Sequence, residues 1–277
     1  MSPKLIAVAA RIRYISPEEY PRLHLLVEAL SKQAHIPKPR IAIAPSKEPN
    51  AFVFGRSRSS ATLVVHEGLL PILNSEELKA VIAHEIGHIK HGDVYVMTFV
   101  SFIPVIAYIV AQQFFWSSII GSGNNNEEAY FIIIGIFAFL AYFLSNLLIL
   151  ALSRARESYA DLYSANATGS PKDLARSLVK ITSANSSVAN APQNSTIARS
   201  FYLVDFFTVD RDLRELIAHK NEVSKFLGGI DIEEIASQEK SKRSNIWGIL
   251  NGITMTHPPI YKRVLDLFKL QEKGLVL

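Results

Sequence analysis

Two stretches of this chain, Val94 to Ile120 and Ala129 to Ser153, contain no Asp, Glu, Lys or Arg. A bilayer core is crossed by about 20 apolar residues at roughly 1.5 Å each, so either stretch is long enough to span one. Between them lies GSGNNNEE, residues 121–128, a polar turn-forming segment that predicts two antiparallel spans. The chain then leaves and re-enters on one side of the membrane. Lys90 precedes the first span, Arg154 and Arg156 follow the second, and the turn carries two glutamates and no basic residue. This bias places the polar portions and both termini on the cytoplasmic face of a multi-pass cell-membrane protein. The apolar LIAVAA run from Leu5 is too short to span, and Arg11 and Arg13 flank it on the wrong side for a cleaved secretory signal.

The resulting organisation is 1–93, a transmembrane hairpin at 94–153, and 154–277. With 49% apolar residues in 277 positions, the polar portions have ample material for a core. The absence of cysteine excludes disulfides, thiolate ligands and a cysteine nucleophile. A net charge of +4 without a dense basic run suits a surface near anionic lipid and gives no indication of nucleic-acid binding.

Ahead of the hairpin, Pro17 to Lys32 predicts a helix, capped by Ser16 and apolar at Leu23, Leu26, Val27 and Leu30. RIAIA from Arg40, AFVFG from Ala51 and ATLVVHE from Ala61 read as strands of a small sheet, antiparallel at least in part. Asn74 followed by Glu77 resembles a capping box, opening a helix through Leu78, Val81, Ile82, Ile86 and Ile89. After the hairpin, Arg154 to Ala167 and Lys172 to Ile181 read as helices. Thr182 to Ser200 and Ser237 to Asn245 read as surface loops.

The helix before the hairpin carries AHEIGHIKHGD. Residues four apart share a helix face, so His84 and His88 can offer nitrogens to one ion while Glu85 lies beside it. This is the H-E-x-x-H arrangement of two zinc ligands and a general base. The neighbouring isoleucines embed the helix, and buried histidines with a buried carboxylate need partners that a metal would supply. Gly87 in the helix interior costs about 1 kcal/mol against Ala, tolerable where another element must approach closely.

A catalytic zinc usually has three protein ligands. The hairpin returns the chain beside the first helix, where SRARESYAD places Glu157 and Asp161 on one face. Glu157 is the candidate third ligand, and Asp161 the acceptor that orients a ligand imidazole. A solvated acidic face paired with Arg154 and Arg156 is the competing reading. Arg263 is open between pairing with an acid at the site and a solvated position.

HEIGH with its hairpin, RESYAD, THPPIYKRV from Thr256 and PNAFVFGR from Pro49 together resemble the membrane zinc metalloproteases of the HtpX type, relatives of the CAAX prenyl endoproteases. The resemblance runs from about Arg11 to Val264. It implies an α+β, mainly helical, zincin-like catalytic domain with a small antiparallel sheet, interrupted by a two-helix transmembrane hairpin. It implies one Zn2+ per chain on His84, His88 and Glu157, with Glu85 as base and Asp161 behind a ligand, a gluzincin arrangement. His257 is implied near the reacting oxygen, held stiffly by Pro258 and Pro259. Asn50, Ala51 and Phe52 are implied at a substrate-binding edge strand, where an extended peptide adds by main-chain bonds. One departure stands out: proteases of this type usually carry two further spans ahead of the PNAF segment.

The expected function is membrane-bound peptide-bond hydrolysis, with misfolded or damaged membrane proteins as substrates by resemblance. Selective processing of prenyl peptides and a non-catalytic zinc-containing membrane adaptor are the alternatives; Glu85 argues against the latter, because a structural site has no use for a base. His24, His35, His66, His91 and His219 read as core or surface histidines.

Overall fold

The computed structural model describes residues 3–120, 125–188, 209–228 and 258–274. It resolves into two compact units, Met1–Val94 with Arg156–Leu277, and Tyr95–Ala155.

In the first unit, four strands form one sheet: β1 (Arg13–Tyr14), β2 (Arg40–Ala44), β3 (Ala51–Phe54) and β4 (Thr62–His66), in the order β1-β2-β4-β3. β1 pairs antiparallel with β2, and β3 antiparallel with β4, but the central β2–β4 pair is parallel. The sheet is therefore mixed rather than wholly antiparallel. The reason is topological: β3 runs back along the outside, so β2 and β4 both run opposite to it and share one direction.

Successive side chains point to opposite faces, and here both faces are covered. Ile41, Ile43, Ala51, Leu63 and Val65 enter the main core; Ala42, Ala44, Phe52, Phe54 and Val64 form a second cluster with Ile6 of α1 (Pro3–Ala9). Two-sided burial explains why β2 and β4 read as continuous apolar runs without polar alternation.

The main core is helical. α2 (Pro21–Ala34) starts four residues later than the sequence predicts. Pro21 has no amide hydrogen to continue a helix begun at Pro17, so it occupies the first helical turn and the preceding residues form a turn on the Ser16 carbonyl. α3 (Ser75–His91) is sealed at its start by the reciprocal bonds of the expected capping box, Asn74 Oδ1 from the Glu77 amide and Glu77 Oε2 from the Asn74 amide, each 2.9 Å. Lys180 of α6 (Pro171–Val188) also donates to Glu77 Oε2 at 2.7 Å, which joins that cap to a second helix.

The loop expected from Thr182 is helical through Val188. Thr182 donates back to the Leu178 carbonyl, and Asn185 is buried, with its amide 3.5 Å from the Pro49 carbonyl. Tertiary burial overrides the weak helix preference of a Ser- and Asn-rich stretch. α7 (Val209–Ala218), α8 (Lys220–Leu227) and α9 (Ile260–Glu272) add Leu216, Val223, Leu227, Val264 and Leu267 to the core. The loop expected at Ser237 to Asn245 lies outside the described residues.

The second unit comprises most of α4 (Asp93–Ile120) and of α5 (Asn125–Thr168), the latter as far as Ala155. Both helices contain segments long and apolar enough to cross a membrane, Asp93–Ser117 and Tyr130–Thr168. They run antiparallel: Tyr108 meets Tyr142 at 5.6 Å between ring centroids, and Phe114 meets Phe131 at 5.9 Å. Their outer faces expose Phe99, Phe102, Ile106, Ile136, Phe137 and Phe139, a surface that suits lipid and not water.

Candidate metal centre

α3 is buried on nearly every side, from Ala80 to Gly87 and again at Ile89. Its partner is the last part of α5. Ser164 donates to the Ala80 carbonyl at 2.6 Å, and a Cβ on Gly87 would lie 3.3 Å from Ala160 Cα and 3.1 Å from Tyr163 Cδ1. The interior glycine is the price of that close approach. It brings the 84-to-88 face of one helix against the 157-to-161 face of the other.

At this crossing His84 Nε2 and His88 Nε2 are 3.1 Å apart, and each lies 3.6 Å from a different oxygen of Glu157. One ligand atom from each of the three residues falls within 4.8 Å of the others, so the trio could hold a metal ion. Tetrahedral coordination with bonds of about 2.0–2.1 Å spaces ligand atoms about 3.3–3.4 Å apart, close to the separations seen here. Two imidazoles and one carboxylate are a donor set suited to zinc and its neighbours rather than to calcium or magnesium.

The other nitrogen of each ring faces a carboxylate. His84 Nδ1 lies 2.9 Å from Asp161 Oδ1, and His88 Nδ1 lies 2.5 Å from Asp93 Oδ2. Each carboxylate is in turn held by an arginine. Arg263 donates to both oxygens of Asp161, at 2.9 and 2.6 Å, with Glu157 Oε2 3.5 Å from its remaining nitrogen. Arg156 pairs with Asp93 at 2.7 Å.

Four buried carboxyl groups, Glu85, Asp93, Glu157 and Asp161, thus share two guanidinium groups, and a divalent cation would balance the difference. The electrostatics carry the same strain. Burial alone would lower the His84 pKa, but its contacts with Asp161 and Glu157 outweigh that and raise it to about 9. A proton and a cation therefore compete for this ring. Burial pushes the Glu85 carboxyl up, against the lowering pull of His88 and His84. Arg263 stays firmly cationic, because Asp161 and then Glu157 and Glu85 overcome its desolvation.

The structure thus brings His84, His88, Glu157, Asp161 and the buried Glu85 together, and resolves Arg263 as the buried partner of Asp161. His257 lies outside the described residues. Asn50, Ala51 and Phe52 are buried, Phe52 in the cluster behind the sheet, so they offer no exposed side-chain surface. Among the described strands β3 pairs only with β4 and is an edge. Asp93 and Arg156 are not among the site residues that the sequence predicts, Arg156 reading there as a topology signal or as a partner of a solvated acidic face. The available clue was an acid directly after Gly92, whose φ of 70° turns the chain back at the end of α3.

The sequence pattern of peptidase family M48 matches residues 17–271. The chain belongs to peptidase family M48. Within it, a protease HtpX homolog of Methanothermobacter thermautotrophicus is 43% identical over 181 residues, covering 65% of this chain and 67% of that protein. One from Moorella thermoacetica is 43% identical over 182 residues, 61% of its length. One from Aeropyrum pernix is 30% identical over 276 residues, covering 98% of this chain and 82% of its own. The HtpX-type resemblance is therefore borne out. The crystal structure of S. mikatae Ste24p shares the M48 chain's fold with a TM-score of 0.51 at 15% identity, over 95% of this chain and 52% of that one.

Proposed function

We propose that this M48 chain is a zinc endopeptidase of the membrane, with its catalytic unit and termini on the cytoplasmic side. The observation that carries the reading is the convergence of His84 Nε2, His88 Nε2 and Glu157 on one point while both Nδ1 atoms face carboxylates. His84, His88 and Glu157 would hold the ion. When bound, zinc supplies Lewis acidity toward water and toward a peptide carbonyl oxygen.

The protein's own residues do the rest. Glu85, buried one position along α3 from His84, takes the proton from water and delivers it to the departing amine. Its upward-pushed pKa suits a group that must first accept and then give back a proton. Asp161, clamped by Arg263, holds the His84 ring in place. His257 donates to the carbonyl oxygen as charge develops there. The outer edge of β3, with Ala51 and Phe52 in the strand and Asn50 directly before it, takes an extended peptide by main-chain bonds, which tolerates many sequences. That tolerance, with the exposed apolar hairpin, favours misfolded membrane proteins as substrates over one processed peptide.

The test is cleavage of casein and of an unfolded membrane protein by the full chain in detergent, beside Glu85→Gln. The expected loss is about 10²–10⁴-fold in kcat with zinc retained. Equal cleavage by the variant, or none by the wild type on any substrate while zinc is bound, overturns the peptidase reading.

A further inference from the structure

Asp93 is an acid in the first turn of a helix, ordinarily an exposed position with a modest benefit of about 0.3–1 kcal/mol from the helix dipole. Here it is 4% exposed. Its Oδ2 lies 2.5 Å from His88 Nδ1 and 2.7 Å from a nitrogen of the Arg156 guanidinium. A buried carboxylate is costly unless its partners are well placed, and both partners here are polar groups on other turns of the chain. The contact exists because Gly92, at φ 70°, ends α3 and turns Asp93 back beneath the ring one turn earlier. The arrangement repeats the Arg263–Asp161–His84 chain at the other histidine of the trio, with different residues and no shared sequence motif.

We propose that Asp93, held by Arg156, is the positioning residue of His88, fixing the proton on Nδ1 so that Nε2 faces Glu157 with its lone pair free. This rests on the reading that His84, His88 and Glu157 hold zinc. Loss of Asp93 frees the ring to rotate or to carry its proton on Nε2, the ligating nitrogen. Outer partners of this kind tune metal affinity by about 10–100-fold. Arg156 acts only through Asp93, by keeping its carboxylate in place. Removing Arg156 after Asp93 is gone therefore changes nothing further at the metal.

The experiment is zinc affinity of the full chain in detergent, by competition with a chromophoric chelator, for wild type, Asp93→Asn, Asp93→Ala, Arg156→Met and the Asp93→Ala/Arg156→Met double variant. Glu28→Gln, which breaks an exposed lysine pair, is the control. Expected are a 10–100-fold weaker affinity for Asp93→Ala, a smaller loss for the isosteric Asp93→Asn, and a double variant no weaker than Asp93→Ala. Cobalt substituted into wild type and Asp93→Asn should give visible absorption bands that differ in position. Zinc affinities within twofold of wild type for both Asp93 variants, or losses of Asp93 and Arg156 that simply add, overturn the proposal whatever happens to thermal stability. A wild type that takes up no zinc defeats the underlying metal reading instead, so the two failures are distinguishable.

Discussion

Glu157 touches His84, His88 and Arg263 at once, so its removal acts on the whole cluster. Glu157→Gln keeps the shape but gives up the charge that faces two histidine nitrogens and a buried arginine. We expect zinc retention to fall by at least tenfold in a chelator titration, with the helices intact by circular dichroism. Arg263→Met leaves Asp161 buried without its bidentate partner, a change that typically costs about 3–5 kcal/mol. The expected outcome is a markedly lower melting temperature in detergent, which an exposed arginine could not produce. The spacing in HEIGH and RESYAD that brings His84, His88 and Glu157 together was legible because helical periodicity is local. The arginines were not, since whether Arg156 or Arg263 meets water or a carboxylate depends on which helices pack together, and no spacing rule within one helix records that.

Among the elements, α3 is the one on which the others depend. Its N-terminus is tied to α6 through Glu77 and Lys180, and its C-terminal half is pressed against α5 at Gly87. Gly87→Leu would drive a branched side chain into Ala160 and Tyr163, so melting temperature and zinc content should fall together; retention of full zinc would show that the two helices need not be this close. A second glycine tests the turn after β4. A Cβ on Gly68 would lie 2.0 Å from the Lys47 carbonyl oxygen, inside backbone with nowhere to move, and Gly68→Ala should cost about 1–3 kcal/mol in a denaturant titration. The strands and the Asn74 cap were readable because apolar runs and capping boxes leave local marks. The start of α2 and the end of α6 were not, since Pro21 at the first helical position and burial of Asn185 decide them.

At the scale of the whole molecule, the absence of charge from two long stretches, 94–120 and 129–153, and the convergence of four acids with two arginines are the two strongest facts. The first predicts membrane insertion, and the cysteine-free sequence makes it simple to test. Single cysteines at Ser122 and Lys273 should be labelled in intact cells by an impermeant reagent at Ser122 only; labelling of Lys273→Cys alone would reverse the orientation. The hairpin was evident from composition, whereas the parallel central pair of the sheet was not, because strand order depends on the path of β3 around its neighbours. The second fact is the centre of the account. Its most direct test is the metal content of the full chain purified in detergent without chelator, measured by mass spectrometry for wild type, Glu85→Gln and the double variant His84→Ala/His88→Ala. The account expects about one zinc per chain in the first two and almost none in the third. Zinc retained by the histidine double variant, or absent from an otherwise folded wild type, would contradict it.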